Sequence, residues 1–185
     1  SYYQPRPPSP QMQHRMPGNR PQLHHSMHAP HSAPLGDARW NINYAEIKLG
    51  KELGRGAFGI VYAGTYRLQD VAVKVVANQP TAKALQEFWE ETALMANLRP
   101  HKNLVTFMGV CQNPLCLVTE LVAGGSLESR IEPGKPDVTW ADFFRWGRGM
   151  AAGMHHLHLE NILHRDLAAR NILLDGMGNA EVADF

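Results

Sequence analysis

The sequence predicts an α+β fold, in which paired strands come first along the chain and helices follow. Two β-branched, apolar runs at residues 60–63 and 71–76 are joined by a polar turn, as in a hairpin. Residues 80–98 and about 139–159 carry apolar side chains at helical spacing. The chain therefore combines a strand-rich first part with a helical second part.

A glycine-rich segment, L-G-R-G-A-F-G-I-V at residues 53–61, precedes these strands. Glycines at the spacing of Gly54, Gly56 and Gly59 let backbone amides approach phosphate groups, because no β-carbon intervenes. The same spacing also opens dinucleotide-binding units, but there the loop leads into a helix. Here it leads into strands, so we expect a hairpin that covers phosphates.

Lys74 lies in the apolar run V-A-V-K. Its aliphatic stem can follow a core while the ammonium reaches phosphate oxygens, and the alternative is a strand-edge lysine that extends into solvent. The helix at 80–98, which Thr81 can cap, offers three glutamates as partners. Glu91 is favoured because Met95 lies one turn beyond it on the same side. The other two glutamates, Glu87 and Glu90, are assigned to a solvated face.

The second part of the chain begins with a short helix that Ser126 can cap and that ends near Ile131, before the breaker P-G-K-P. Thr139 and Asp142 then form the start of a capping box for a longer helix. Its expected apolar positions are Phe143, Phe144, Met150, Ala151, Met154 and Leu157.

The segment H-R-D-L-A-A-R-N, residues 164–171, carries the strongest chemical signal. An aspartate that accepts a hydroxyl proton, an asparagine five residues later and a further metal-binding aspartate are recurring parts of phosphoryl transfer. Asp166, Asn171 and Asp184 match these parts. Each of these residues is weak evidence when taken alone. The interpretation therefore depends on several such motifs occurring in the expected order.

Residues 46–185 resemble the first half of a eukaryotic protein kinase domain, in particular the tyrosine and tyrosine-kinase-like group. The ordered motifs are LGRGAFGIV, VAVK, a helix with Glu91, VTELVAGGSL, HRDLAARN, NILL and VADF. The resemblance implies a two-lobe fold with a five-stranded antiparallel sheet and one helix at 46–118, a hinge at 120–125 and a truncated helical lobe. We expect a tail at 1–39, an N-lobe with hinge at 46–123 and a partial C-lobe at 124–185.

The resemblance also implies site residues. Asp166 would orient the acceptor hydroxyl and take its proton, Lys74 would bind phosphates while paired with Glu91, and Arg170 would shape the acceptor site. Asn171 and Asp184 would hold Mg²⁺, which prefers oxygen ligands. His164 and Phe185 would belong to the hydrophobic spine between the lobes. The expected nucleotide-binding residues are Leu53, Gly54, Gly56, Gly59, Val61, Ala72, Lys74, Thr119 as gatekeeper, the backbone of Glu120 and Val122, and Leu173.

The function implied is an ATP- and Mg²⁺-dependent protein kinase that transfers the γ-phosphate to a protein hydroxyl. The acceptor stays open: Ala168 and Arg170 resemble tyrosine kinases, whereas G-G-S-L at 124–127 resembles tyrosine-kinase-like enzymes that modify serine and threonine. The alternatives are a nucleotide-binding pseudokinase or truncated regulatory module without turnover, and a small-molecule kinase, which the full HRDLAARN disfavours.

The chain departs from the family pattern at three places. Pro100 is an extra residue after the first helix, and Glu181, where a lysine is common, is expected to face solvent. The glycine that would follow Phe185 is missing. We therefore expect a kinase fragment that is unstable or binds nucleotide weakly by itself, and that becomes active when extended through the rest of the lobe.

Composition indicates an intracellular, cytoplasmic protein. Cys111 and Cys116 lack a histidine partner, so we expect free thiols in a reducing compartment. No apolar run suits a membrane span, and the formal net charge of +1 gives no case for nucleic-acid binding. Residues 1–39, rich in proline, histidine, methionine and glutamine, are expected to be disordered. Residues 5–10, P-R-P-P-S-P, are a candidate ligand for a proline-reading module in a partner.

Overall fold

The computed structural model describes residues 38–56, 59–77 and 79–185. The expectations for the tail, including its histidines and the proline motif at 5–10, lie outside the described residues. The same is true of Ala57 and Phe58, which belong to the glycine-rich segment of the sequence.

The first half of the described chain forms one antiparallel sheet with a helix inserted in its sequence. The strands are β1 (Ile47–Gly56), β2 (Gly59–Tyr66), β3 (Gln69–Val76), β4 (Phe107–Gln112) and β5 (Leu115–Glu120), in the order β1-β2-β3-β5-β4. Helix α1 (Ala82–Asn97) connects β3 to β4. The expected five-stranded sheet with one helix is therefore confirmed.

The second half is mainly helical, as the sequence predicts. It contains α2 (Leu127–Ile131), α3 (Trp140–Leu159) and a two-stranded antiparallel sheet of β6 (Ile172–Leu174) and β7 (Ala180–Val182). The hydroxyls of Thr81, Ser126 and Thr139 cap α1, α2 and α3, and Thr139 completes a capping box with Asp142. Within the described ranges, no helix has the length and apolar character needed to cross a membrane.

Strand register divides the sheet into two faces. Lys74 is paired with Val61 on β2 and with Leu117 on β5, and Ala72 is paired with Thr119, so these side chains share one face. Helix α1 packs on that face, where its Phe88 and Met95 join Val76, Val110 and Leu117 in an apolar cluster. The sheet therefore presents Lys74 to the helix that carries the candidate glutamates.

The opposite face of the sheet holds a second apolar cluster that contains both cysteines. Cys111 and Cys116 are direct partners across β4 and β5 and pack with Val71, Val73 and Val118. Both thiols are free, as expected, and they are completely buried.

Residues 38–46 cover the outer edge of β4, which is an edge strand of the sheet. Ala38–Trp40 form a 3₁₀ turn, although the sequence assigns the first two to the tail, and the Trp40 ring lies 5.0 Å from the ring of Phe107. The amide of Ile42 donates a hydrogen bond to the carbonyl of Val110 at 2.9 Å. This edge segment thus continues the sheet beyond β4.

Helix α3 buries only part of the apolar set that the sequence predicts: Leu157 is fully buried, and Met150 and Met154 pack against the same core. Phe143, Phe144 and Ala151 are exposed, and α3 buries Trp146, Leu157 and two glycines, Gly149 and Gly153. A β-carbon at Gly153 would lie 2.5 Å from the carbonyl oxygen of Asn103, and one at Gly149 would lie 3.0 Å from that of Ala180. The backbone of α3 therefore approaches β7 and the loop before β4 so closely that glycine positions set the buried face.

Glu181 is also placed differently from the expectation. All three residues of β7 are buried, because α3 covers one side and the loop before β4 covers the other. The Glu181 side chain lines a groove between that loop and the end of β5. Burial raises the pKa of Glu181 to about 7, and the neighbouring carboxylates of Glu120 and Asp175 contribute to the rise.

We predict that Gly153→Ala destabilises the 185-residue chain by about 1–3 kcal/mol, the usual cost of forcing extra atoms into a packed site. The added methyl group collides with the Asn103 carbonyl, and this outweighs the roughly 1 kcal/mol that alanine gains over glycine within a helix. Thermal and urea unfolding measure the change. Gly147→Ala is the control on the same helix, because nothing lies within 4 Å of its β-carbon, and it should leave stability equal or higher. Equal stability of the two variants would contradict the close approach of α3.

We predict that Glu181→Gln changes how stability depends on pH. The folded pKa of about 7 exceeds the ordinary value, so the folded chain binds this proton more tightly, and that contribution disappears as pH rises through 7. Between pH 5 and pH 8 the free energy of unfolding of the unsubstituted chain should fall relative to Glu181→Gln by about 1–3 kcal/mol. Urea unfolding at several pH values measures the difference. A difference independent of pH would refute the burial of an ionisable carboxyl here.

Candidate active site

An ion pair joins the sheet to α1 inside the space under the glycine-rich hairpin. The ammonium of Lys74 donates to both carboxylate oxygens of Glu91, at 2.8 and 2.9 Å, and both side chains are about three-quarters buried. Glu87 lies 3.6 Å from Lys83 on the helix surface, and Glu90 accepts a hydrogen bond from a glutamine of the same helix. Of the three glutamates, Glu91 is the one that meets Lys74.

The glycines of the β1–β2 hairpin differ in what surrounds them. Gly59 has a φ of +150°, and a β-carbon there would lie 2.0 Å from the carbonyl oxygen of Val75. The chain's own backbone therefore requires glycine at this position. At Gly54 and Gly56 no atom of the described residues lies within 4 Å of an added β-carbon. Those two glycines leave open space beside their backbone, which is where a ligand can approach.

The residues expected around an adenine lie on connected elements. Val61, Ala72 and Thr119 share the Lys74 face of the sheet, and Leu53 lies exposed on β1. Leu173, on β6, is half-buried. Two backbone hydrogen bonds of 2.8 Å tie the segment after β5 to β6: Gly124 donates to Leu174, and Leu174 donates to Gly125. Strand β6 is thereby fixed next to the hinge.

Part of the hinge backbone is already hydrogen-bonded within the described chain. The N–H of Glu120 donates to the carbonyl of Thr106 at 3.0 Å, so it is already used. The carbonyl of Glu120 accepts only a 3.2 Å hydrogen bond from the Thr119 hydroxyl within the described chain. The N–H of Val122 makes no hydrogen bond to any described residue. A base bound here would meet a carbonyl from Glu120 and an N–H from Val122.

Asp166 is held in place by two side chains of its own loop. Arg170 donates to its Oδ1 at 2.6 Å, and the amide nitrogen of Asn171 donates to its Oδ2 at 3.0 Å and to its carbonyl oxygen at 2.8 Å. The hydrogen bond from Arg170, followed by that from Asn171, lowers the pKa of Asp166 below its ordinary value. The exposed carboxylate is therefore ionised at neutral pH and able to accept a proton.

Asn171 and Asp184 form the candidate metal-binding pair. The amide nitrogen of Asn171 is used on Asp166, which leaves its side-chain oxygen available. The carbonyl of Asn171 accepts from the N–H of Ala183 at 2.8 Å, so the residue before Asp184 is tied to it. Asp184 is exposed and makes no ion pair with any described residue. One amide oxygen and one carboxylate fit a hard cation such as Mg²⁺.

Two residues of the site have an unusual backbone conformation that the sequence does not reveal. Arg165 has a φ of +64° and Asp184 a φ of +54°, in the left-handed region that residues other than glycine seldom adopt. Such strain, of order 1–3 kcal/mol for each residue, persists where the surroundings fix the chain and is concentrated at functional sites. Here the two positions are Arg165, next to Asp166 in the chain, and Asp184, the candidate metal-binding residue itself.

His164 and Phe185 meet across the site, with ring centroids 6.3 Å apart and an edge-to-face arrangement. Phe185 packs against the helical core around Leu157 and also against the cluster under α1. It thus contacts both halves of the described chain. The ring nitrogens of the buried His164 have no hydrogen-bond partner within the described ranges.

Two residues that support the site gave no signal in the sequence. The amide nitrogen of Asn103 donates to Ala180 at 2.7 Å, and its carbonyl accepts from Val182 at 2.8 Å, which fixes the strand that leads to Asp184. Thr106 pairs with the backbone and the carboxylate of Glu120. Their partners lie far along the chain, so neither spacing nor periodicity could identify them.

Comparisons with known proteins agree with this geometry. The family model of the protein tyrosine and serine/threonine kinases matches residues 47–185. The serine/threonine-protein kinase STY46 of Arabidopsis thaliana is 39% identical over 149 residues, which are 79% of this chain and 26% of that protein. The putative serine/threonine-protein kinase/receptor R831 of Acanthamoeba polyphaga mimivirus is 40% identical over 152 residues, 80% of this chain and 9% of that protein.

A third relative extends the similarity to an amoeba. The probable serine/threonine-protein kinase drkD of Dictyostelium discoideum is 37% identical over 151 residues, 79% of this chain and 12% of that protein. The chain spans about a quarter or less of the length of these three relatives. The family match covers most of the chain and includes both the sheet and the segment at 164–171, so the chain belongs to the family of protein tyrosine and serine/threonine kinases.

Proposed function

We propose that this chain carries the nucleotide-binding and phosphoryl-transfer residues of a kinase that moves the γ-phosphate of ATP to a serine or threonine of a protein. The observation that carries the proposal is the Lys74–Glu91 ion pair at 2.8 Å, under a hairpin whose Gly54 and Gly56 leave space for phosphates. A lysine so placed meets the negative charge of a nucleotide without further rearrangement.

The nucleotide would be bound by the sheet, the hinge and β6. Val61, Ala72 and Leu173 would contact the two faces of the adenine, with Thr119 at the rear and Leu53 at the entrance. The carbonyl of Glu120 would accept from the adenine amino group, and the N–H of Val122 would donate to the ring. The backbone of Gly54, Gly56 and Gly59 would cover the phosphates, and Lys74 would neutralise part of their charge.

Phosphoryl transfer would take place beside Asp166. The acceptor oxygen forms a bond to the γ-phosphorus, the bond from that phosphorus to the β,γ-bridging oxygen breaks, and the hydroxyl proton passes to the Asp166 carboxylate. Arg170 and Asn171 hold this carboxylate in one orientation, which is its main contribution to the rate. Mg²⁺ bound by Asn171 and Asp184 would neutralise charge on the transferred group.

The acceptor is proposed from the relatives, whose names describe serine/threonine kinases. Within the chain, Ala168 stands two residues after Asp166. The guanidinium of Arg170 donates a hydrogen bond to the Asp166 carboxylate. This arrangement, which resembles tyrosine kinases, makes tyrosine the second candidate. Residues 46–123 would act as the N-lobe with the hinge, and 124–185 as part of the C-lobe.

We predict that the full-length gene product containing this chain transfers labelled phosphate from ATP with Mg²⁺ to mixed peptides. Asp166→Asn should lower kcat about 10²–10³-fold, because the acceptor hydroxyl loses the carboxylate that orients it and takes its proton. Lys74→Met should lower kcat/KM by a similar factor, because phosphate charge is no longer neutralised.

Phospho-amino-acid analysis of the labelled peptides should show phosphoserine and phosphothreonine, and phosphotyrosine would instead select the second candidate. ATP binding without transfer would refute the proposed activity and favour a pseudokinase.

Two neighbouring glutamates provide a matched test of the ion pair. Glu91→Gln should lower kcat/KM about 10- to 100-fold, because Lys74 loses its orienting partner. Glu90→Gln removes the same charge one residue away, on the exposed side of α1, and should leave the rate unchanged. Equal losses in both variants would mean that the charge of the helix matters and not the pair.

We predict that substitution by alanine has different effects at two glycines of the hairpin: it lowers stability at one and weakens ATP binding at the other. Gly59→Ala should unfold at a lower temperature, because its β-carbon meets the Val75 carbonyl. Gly56→Ala should keep its unfolding temperature and bind ATP about 5- to 30-fold more weakly, a loss of about 1–2 kcal/mol. Thermal unfolding and ATP titration separate the two effects. If Gly56→Ala binds ATP normally, the hairpin does not contact the phosphates.

A further inference from the structure

A groove lies between three parts of the chain: the loop that precedes β4, the end of β5, and β7. Its walls include His101, Lys102, Thr106, Glu120 and Glu181, and its volume is ≈ 270 Å³. Water occupies about 30 Å³ per molecule in the liquid, so the groove has room for a side chain as well as solvent. None of the residues given a role in phosphoryl transfer contributes a side chain to it except Glu120, whose proposed contact with adenine is through its backbone.

Glu181 is the unusual group in this groove. Only 9% of the residue is exposed, and its Oε2 atom has no hydrogen-bond partner in the described part of the chain. A buried carboxylate oxygen without a partner costs about 1–3 kcal/mol or more, and such atoms are rare in folded proteins. Glu181 thus lines the groove with a carboxyl group that the described residues satisfy only in part, although its Oε2 atom is itself closed to solvent.

Glu120 supplies a second carboxylate, already held in a fixed orientation. Its Oε1 accepts a hydrogen bond from the N–H of Thr106 at 2.7 Å, and its own N–H donates to the Thr106 carbonyl. No described residue donates to its other carboxylate oxygen. Glu120 is close enough to Glu181 to disfavour its ionised form. Two carboxyl-bearing residues thus line one space.

The charges around the groove do not balance. When both glutamates are ionised they face one ammonium, that of Lys102, which makes no ion pair with the described residues. Burial, followed by the neighbouring His156 and Lys102, lowers the pKa of His101, so this imidazole is neutral at pH 7. Asp175, on the turn between β6 and β7, adds further negative potential at Glu181. One more positive charge would neutralise the groove.

We propose that this groove binds the guanidinium of an arginine side chain presented by a partner protein, between Glu120 and Glu181. A guanidinium carries five N–H donors in one plane, which suits two carboxyl groups that line one groove, whereas an ammonium is a compact point charge. A metal ion fits less well, because the described residues contain no cluster of three or more metal-binding side chains. The bound arginine would bridge β5 and β7 and so connect the two halves of the kinase fold.

The test uses the carboxyl signal of Glu181 in the 185-residue chain labelled with ¹³C-glutamate, assigned by its absence in Glu181→Gln. The probe is N-acetyl-arginine amide, and the control is the neutral isostere N-acetyl-citrulline amide. The free chain should titrate near pH 7 at Glu181. Saturating arginine probe should lower this midpoint by about one pH unit, which corresponds to about tenfold tighter binding at high than at low pH. The citrulline probe should leave it unchanged.

Three variants complete the test. Glu181→Gln should abolish binding of the arginine probe, and Glu132→Gln, an exposed glutamate outside the groove, should retain it. Lys102→Met should bind the probe about two- to threefold more tightly, because a like charge is removed from the wall. The proposal is wrong if both probes act equally or if neither moves the midpoint. It is also wrong if Glu181 titrates below about pH 5 in the free chain and higher in Lys102→Met, because Lys102 itself would then fill the groove.

Discussion

The hydrogen bonds between the loop that precedes β4 and strand β7 hold the described structure together. Val105 donates to Val182 at 3.0 Å, Val182 donates to Asn103 at 2.8 Å, and the Asn103 side chain reaches Ala180 at 2.7 Å. These bonds connect the strand-rich half, which carries Lys74 and the hinge, to the helical half. Because the bonds are short and buried, they fix the spacing of the two halves more firmly than apolar contacts alone would.

The geometry of the candidate site depends on this connection. Strand β7 leads into Asp184, and the bond from Ala183 to Asn171 then aligns the two oxygen donors expected to meet Mg²⁺. The close approach of α3 at Gly149 and Gly153 supports β7 from its other side. A rigid backbone beneath an exposed Asp166 is what phosphoryl transfer requires, since orientation rather than strong proton affinity is the contribution expected from that carboxylate.

The sequence predicted the features that depend on residues close together in the chain. It failed for the features that depend on contacts between residues far apart in the chain. Capping by Thr81, Ser126 and Thr139 depends on neighbours three residues away, so the helix starts agree with the structure. The contact of Lys74 with Glu91 depends on a helical turn and a strand register, both of which are periodic.

Periodicity identified Met150, Met154 and Leu157 on the buried face of α3. It missed Gly149 and Gly153, because glycines carry no apolar side chain to count, although they allow the closest packing. The burial of Glu181 was missed because a three-residue strand gives no sign that a distant loop covers its second side.

The segment at residues 38–46 has a consequence for how this protein is prepared. The family match begins at residue 47, yet Trp40 packs on Phe107, and Ile42 bonds to the outside of β4. A form of the chain cut back to the boundaries of the match would expose the unpaired N–H and C=O groups of an edge strand, next to an apolar surface that the tryptophan had covered. Such edges pair with one another between molecules. A shortened protein that begins after Ile42 would therefore aggregate through β4, even with its active site intact.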